Sequence, residues 1–301
     1  MSIPYSHIHD DYKHLLDLDA ERRIASLDED VWINYPKSDS VIQLLNRIIN
    51  MPKKPRMQGL LIIGEAAIGK TSIVNRFAQM HPDVTFEDED RITHVQRPVI
   101  QAVMQNSDER ELYIAILETF LTPFRKNDTR LKLKYQAISL MRACHVKMLI
   151  LDEIHNLLRG TPVQQRSIMD VLKNLSNELM IPIVGVGVHE AALVLGSEPQ
   201  LASRFDIARL PLWDMDKNFR ALLVAFEKRL PLKKPSHIDR KEKATLIYQY
   251  CQGNLGDLHR LLVECSKSAI ERGLEEITVD LIKENQWVMR SNKQRAREIP
   301  L

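Results

Sequence analysis

One eight-residue stretch constrains this chain more than any other: Gly64-Glu65-Ala66-Ala67-Ile68-Gly69-Lys70-Thr71 fits G-x-x-x-x-G-K-[ST]. The run Leu60-Leu61-Ile62-Ile63 just before it reads as a short buried strand, and a helical pattern over about 70 to 80 follows. A loop placed this way points its backbone N–H groups inward. The helix N-terminus behind it adds positive potential, so the loop is built to wrap phosphate. Gly64 and Gly69 permit close backbone approaches that a side chain would block. The pattern assigns the Lys70 ammonium to the β- and γ-phosphates of ATP and the Thr71 hydroxyl to Mg²⁺. With the next residue of the helix, Ser72, these residues form the candidate nucleotide site. An ordinary strand–helix turn is the alternative. Average residue usage gives a chance match in roughly one chain in a hundred of this length, and the strand-before, helix-after context lowers that.

The surrounding pattern repeats. Apolar runs at Pro98–Val103, Met148–Leu151 and Ile183–Val186, with a further one at Ala208–Leu210, alternate with helical segments at about 108 to 121, 131 to 145 and 164 to 180. Strands alternating with helices predict an α/β fold with a parallel sheet flanked by helices. From Met215 onward the strand signals stop, and helical patterns run at about 215 to 230, 238 to 251, 255 to 272 and 278 to 289. The predicted organisation is an N-terminal extension over 1–58, an α/β nucleotide-binding domain over 59–212, a smaller all-helical lid domain over 213–290 and a basic tail over 291–301.

Within the extension, Val41, Leu44, Leu45, Ile48 and Ile49 recur at helical spacing, and the prolines Pro52 and Pro55 end that helix. His7, His9, Asp10, Asp11 and His14 could serve a metal, but a polar terminus that docks a partner or neighbouring subunit is the favoured reading. At 301 residues and 44% hydrophobic the chain can bury a sizeable core, while a net charge of +2 favours no class of partner. Cys144, Cys251 and Cys265 form no C-x-x-C pair, as expected of reduced thiols in the cytosol. The first residues lack a signal-peptide pattern, and the longest strongly apolar stretch, Ile181–Val188, is too short to span a bilayer. The expectation is a cytoplasmic protein without a membrane partner.

Two further elements belong with the phosphate loop. Met148-Leu149-Ile150-Leu151-Asp152-Glu153 places two carboxylates at the C-terminal end of a central strand, the edge where open α/β sheets bind ligands. Asp152 is expected to hold Mg²⁺ through water, and Glu153 to orient and deprotonate the water that attacks the γ-phosphate. A helix-capping role is the alternative for Glu153. Arg204, in Leu201-Ala202-Ser203-Arg204-Phe205, follows the fourth apolar run. In a ring-forming ATPase an arginine here reaches the neighbouring subunit's site and stabilises charge on the transferring phosphoryl group. Arg209 is the reserve candidate, and a plain surface arginine is the alternative for Arg204.

These elements with a helical domain behind them resemble the AAA+ ATPases. Narrower blocks resemble the TniB/TnsC family of transposition regulators: Asp30-Val31-Trp32-Ile33-Asn34-Tyr35-Pro36, Asp152-Glu153-Ile154-His155-Asn156-Leu157-Leu158 with Gln164-Gln165-Arg166, Leu175-Ser176-Asn177-Glu178-Leu179 running into Ile181-Pro182-Ile183-Val184-Gly185, and Gly253-Asn254-Leu255-Gly256-Asp257-Leu258. The likeness covers roughly residues 5 to 285. It implies a bacterial, nucleoid-associated protein that binds ATP and assembles as a homo-oligomeric ring or filament on duplex DNA. It also implies partners: a transposase, and a target-selection protein or complex. Hydrolysis then disassembles the oligomer.

Two positions depart from the superfamily pattern. Where many members end the fourth strand on a γ-phosphate-sensing polar residue, this chain has Gly187-Val188-His189-Glu190, leaving His189 as the stand-in. Where many carry the arginine of G-x-x-R, this chain has Gly256, and Arg260 lies one turn on. If neither serves, hydrolysis is slow, which suits a switch better than a motor.

Between Leu121 and Lys147 lie Arg125, Lys126, Arg130, Lys132, Lys134, Arg142 and Lys147 against the single acid Asp128. Few aromatic residues accompany them, which suits contact with duplex phosphates and little sequence specificity. Lys126, Arg130, Lys132 and Lys134 are the candidate DNA-binding residues, with a solvated helix face as the alternative; Arg97 is a weaker candidate. Other functions remain open: another DNA-associated AAA+ protein such as a helicase loader or clamp-loader-like ATPase, or a protein-binding switch. A helicase would explain the echo of D-E-x-H in Asp152-Glu153-Ile154-His155, but it needs a second α/β domain that the all-helical C-terminal third does not supply.

Overall fold

A computed structural model describes residues 5–29, 32–87, 91, 93–125, 127–196 and 203–288. The described residues fall into two compact units, one within Pro36–Ala66 and Lys70–Leu210, the other within Met1–Tyr35, Ala67–Gly69 and Pro211–Leu301.

The first unit is an α/β layer structure. Its strands are β1 (Gly59–Gly64), β2 (Val84–Glu87), β3 (Thr93–Gln96), β4 (Val99–Val103), β5 (Met148–Asp152), β6 (Ile183–Gly187) and β7 (Phe205–Leu210). Five of them form one sheet in the order β4-β5-β6-β1-β7. Every neighbouring pair in it is parallel. β1, β5 and β6 are buried along their whole length. A strand covered on both faces needs apolar side chains at every position, and this is why these segments read as unbroken apolar runs. The edge strand β7 keeps only Leu210 fully buried, so its sequence alternates and its start, at Phe205, was not legible. β2 and β3 pair with each other alone and antiparallel.

Caps fix the helices. Asp108 accepts from the Arg110 N–H before Glu109–Thr119. Thr129 accepts from Lys132 before Arg130–Ala143. Thr161 and Gln164 form a reciprocal capping box before Pro162–Leu179, with Pro162 in the first turn, where its missing N–H costs nothing. The core between sheet and helices includes Ile63, Leu112, Leu117, Leu149, Leu151 and Leu172.

The second unit is helical, built on Ala20–Ser26, Lys217–Glu227, Lys241–Cys251, Leu255–Glu271 and Val279–Glu284. The extension expected over 1–58 is divided at Tyr35/Pro36. Its second part, the helix Pro36–Ile49, buries Val41, Ile42, Leu45, Ile48 and Ile49 in the α/β unit. Its first part packs on the C-terminal helices. The His9 N–H donates to Lys228 O at 2.8 Å, and His7 Nε2 lies 2.9 Å from Leu232 O. Among the described residues no group of three or more His, Cys, Asp or Glu could hold a metal ion.

Arg23 anchors this arrangement. It is 2% exposed, donates twice to Pro231 O, and forms a bidentate pair with Glu275 at 2.9 and 2.5 Å. The Arg23 guanidinium holds the Glu275 carboxyl below the usual carboxylate range. A depressed folded pKa stabilises above the unfolded value, and that stability is lost as pH falls through the folded one. Removing one partner leaves the other uncompensated, so Arg23→Met is expected to cost about 3–5 kcal/mol in urea unfolding at pH 7. The difference from the parent should narrow as the pH is lowered through the Glu275 titration.

Candidate nucleotide-binding site

The phosphate-loop sequence folds as its pattern requires. β1 ends at Gly64, and a helix begins at Lys70. Between them Ala67 (φ 60°) and Gly69 (φ 92°) take left-handed backbone conformations, of which the second favours glycine. Lys70 is 8% exposed, and its Nζ donates to Gly64 O at 2.9 Å and Glu65 O at 2.7 Å. Its ammonium is thus folded back along the loop that would cradle phosphate. Burial lowers its pKa, opposed by Glu153, Asp152 and Glu65.

Asp152, 3% exposed, ends β5. Its Oδ2 accepts from the Thr71 hydroxyl at 2.8 Å, and its Oδ1 accepts the Glu153 N–H, also at 2.8 Å. The two predicted Mg²⁺ residues, 81 positions apart in sequence, therefore meet. A hydroxyl and a carboxylate at hydrogen-bond distance are hard oxygen donors of the kind Mg²⁺ takes, so the residues fit that ion. Ser72 is exposed on the same helix. Glu153 has a left-handed backbone (φ 53°, ψ 37°) at the start of the short helix Ile154–Leu157 and makes no side-chain cap, so the capping role is not the one it has. Its Oε2 is 3.1 Å from His155 Nδ1. His189 Nε2 lies 3.8 Å from Glu65 Oε1, at the loop.

Arg204 sits elsewhere. It immediately precedes β7, whose Phe205 is in register with Gly59, while Leu210 is in register with Gly64. Arg204 is thus at the N-terminal edge of the sheet, and the loop is at the C-terminal edge. β1 spans six residues, which at about 3.3 Å per residue is roughly 17–20 Å. Arg204 is half-buried and donates from Nη1 to Asn177 Oδ1 at 3.0 Å. Such a position puts it out of reach of its own loop. Arg209 is opposite Ile63, near the loop edge.

The blocks that carry the family resemblance have structural work as well. In the helical unit Tyr35 packs edge-on against Trp213 at 5.1 Å between ring centroids, and burial pushes its phenol up to about 12. Ser176 donates to Ile181 O at 2.8 Å, turning the helix Pro162–Leu179 into β6. Asn254 Oδ1 accepts from the Gly256 and Asp257 N–H groups. Gly256 itself donates to Ala67 O at 2.8 Å, and a Cβ there would lie 2.7 Å from the Ala67 Cβ. A side chain at this position would force the backbone or Ala67 to shift. The Arg260 guanidinium lies over the Trp287 ring at 5.5 Å.

The basic segment is less uniform than its sequence. Lys126 lies outside the described residues. Arg130 pairs with Glu109 and Lys132 with Asp128, each at 2.9 Å; Lys134 is 3.7 Å from Glu178, which Arg142 shares at 3.3 Å. At about 100° per residue, Lys132 points away from Arg130 and Lys134. Arg97 is committed to Asp83 at 2.8 Å and stacks over Phe120.

Comparison with known proteins agrees with the geometry. A family model described as "Bacterial TniB protein" matches residues 23–215. No curated protein sequence matches the chain. The Aeropyrum pernix ORC2 protein (ADP form) superposes with a TM-score of 0.60 at 14% identity, covering 88% of this chain and 72% of that one. The Aeropyrum pernix ORC1 protein in complex with DNA gives 0.59 at 13%, covering 91% and 68%. Cdc6p from Pyrobaculum aerophilum gives 0.57 at 16%, covering 86% and 69%. Identities this low establish the fold alone, and that fold is the AAA+ ATPase core with its helical C-terminal region. The family match spans more than half of the chain, including the phosphate loop, the acid pair and Arg204: the chain belongs to the TniB family of AAA+ ATPases.

Proposed function

We propose that this protein is an ATP-dependent, DNA-binding regulator of transposition. In this reading it oligomerises on duplex target DNA, recruits and activates a transposase, and links that enzyme to a target-selection protein or complex. ATP hydrolysis drives disassembly. The observation that carries the reading is the Thr71–Asp152 hydrogen bond of 2.8 Å, which joins the two halves of a phosphate and Mg²⁺ site in a member of the TniB family. Thr71 and Asp152 would hold Mg²⁺, and the ion would supply charge neutralisation to the phosphates. The loop N–H groups from Gly64 to Lys70 and the Lys70 ammonium bind the phosphates, with Ser72 beside them in the first turn of the helix. Glu153 takes a proton from the attacking water. Arg204, at the far sheet edge from its own loop, serves a neighbouring subunit's site, so hydrolysis depends on assembly.

Duplex contact is assigned to Lys126, Arg130, Lys132 and Lys134. Exposed ion pairs such as those of Arg130 and Lys132 contribute only about 0–1 kcal/mol, so phosphates can displace the acids. Replacing Arg130, Lys132 and Lys134 together by alanine should weaken binding to every duplex alike. It should also reduce the slope of log affinity against log salt by about one for each phosphate left unneutralised. Fluorescence anisotropy of labelled duplexes across a salt series, with ATP and with ADP, measures both; unchanged affinity and slope remove this helix from the interface. No helix among the described residues is long and apolar enough to cross a membrane, and we place the protein in the bacterial cytoplasm, at the nucleoid.

A further inference from the structure

His155 has surroundings that phosphate binding does not use. Its side chain is 15% exposed, against 46% for Glu153. Its Nδ1 is buried and has no hydrogen-bond partner, yet it stands 3.1 Å from Glu153 Oε2. The pair is within ionic reach but off the angle a hydrogen bond requires, so a small rotation of the carboxylate would complete it. Gly187, the last residue of β6, is near the same nitrogen. A Cβ there would come within 3.5 Å of both His155 Nδ1 and its backbone N. The imidazole thus lies beside the last residue of β6, on the short helix that follows β5. Glu153 is the more exposed member, on a left-handed backbone and with no capping bond from its side chain. A general base acts only within hydrogen-bond reach of the water it deprotonates, so something must hold it.

We propose that His155 is the positioning residue for Glu153, its buried Nδ1 fixing Oε2 of the carboxylate at the loop edge of the sheet. The proposal rests on Glu153 being the base. A ring that merely filled the space beside Gly187 would be replaceable by phenylalanine, and this is the distinction to test.

Three variants, His155→Phe, His155→Gln and Glu153→Gln, with the double variant His155→Phe/Glu153→Gln, separate the possibilities. In nucleotide-free protein the shifts in Tm of His155→Phe and Glu153→Gln should fail to add in the double, because one removes the ring and the other the charge of the same pair; additive shifts overturn the proposal. In DNA-stimulated ATPase assays His155→Phe should lower kcat about tenfold or more with KM unchanged, and His155→Gln, which keeps a polar group in reach, should recover part of it. Wild-type kcat in His155→Phe, with Glu153→Gln inactive, overturns the positioning role alone. Wild-type kcat in Glu153→Gln overturns the base assignment instead, and the proposal with it. If His155→Phe does not fold, the ring ¹⁵N resonances of His155 decide: Glu153→Gln should move them, and unmoved resonances overturn the pairing.

Discussion

Glu153→Gln is expected to lower ATP hydrolysis by about 10²- to 10⁴-fold while leaving ATP affinity unchanged. The amide keeps the size of the carboxylate but cannot take a proton from water. The phosphate loop is untouched, because the groups that shape it are Lys70, Thr71 and Asp152. If hydrolysis drives disassembly, the variant should stay on DNA after the parent has left it. Single-turnover hydrolysis and the lifetime of the DNA complex in ATP measure the two consequences separately. Hydrolysis at the parent rate would remove Glu153 from the role of base.

Lys70→Ala should act earlier, by abolishing useful nucleotide binding. The ammonium now donates to two loop carbonyls, bonds that it can exchange for phosphate oxygens. Charge-assisted hydrogen bonds contribute about 1.5–3 kcal/mol each, so losing them should raise the Kd for ATP by roughly 10²-fold or more. Titration of a fluorescent ATP analogue into the variant gives the value. Thermal unfolding without nucleotide provides the control, since Lys70 is buried at the start of a helix that, with the strand before the loop, is held by Leu61, Ile63, Ile73 and Phe77. Together the two variants separate binding from chemistry: one binds and does not hydrolyse, the other does not bind.

What could be read from sequence follows from how locally each feature is determined. β1, β5 and β6 were legible because two-sided burial forces unbroken apolar runs. The longer helices were legible to within a few residues because their apolar faces repeat, whereas short ones such as Ala20–Ser26 and Ile154–Leu157 offer too few turns to show a period. Lys70, Thr71, Asp152 and Glu153 could be singled out because the G-x-x-x-x-G-K-[ST] pattern and the acid pair each follow such a strand. The antiparallel pair β2–β3 was missed: Val84–Glu87 is exposed along its whole length, so no burial pattern marks it. Also missed was the packing of the described residues before Pro36 on the C-terminal helices. It depends on Arg23 meeting Glu275 across 252 positions, and no local pattern encodes that distance. The likeness of the Glu153 region to D-E-x-H drew His155 into a motif, but only the fold set it against Gly187 and the Glu153 carboxylate. The Arg204–Asn177 hydrogen bond likewise joins two segments that the sequence reading did not connect.

Nucleotide-controlled assembly on DNA is the central claim, and electron microscopy of the protein with duplex DNA tests it most directly. Images taken with ATP and Mg²⁺, and again with ADP, should show rings or filaments on the duplex only with ATP, with Arg204 at the boundary between subunits. Single particles that ignore both DNA and nucleotide would contradict it; the AAA+ fold would stand, and a protein-binding switch would take the place of the transposition regulator.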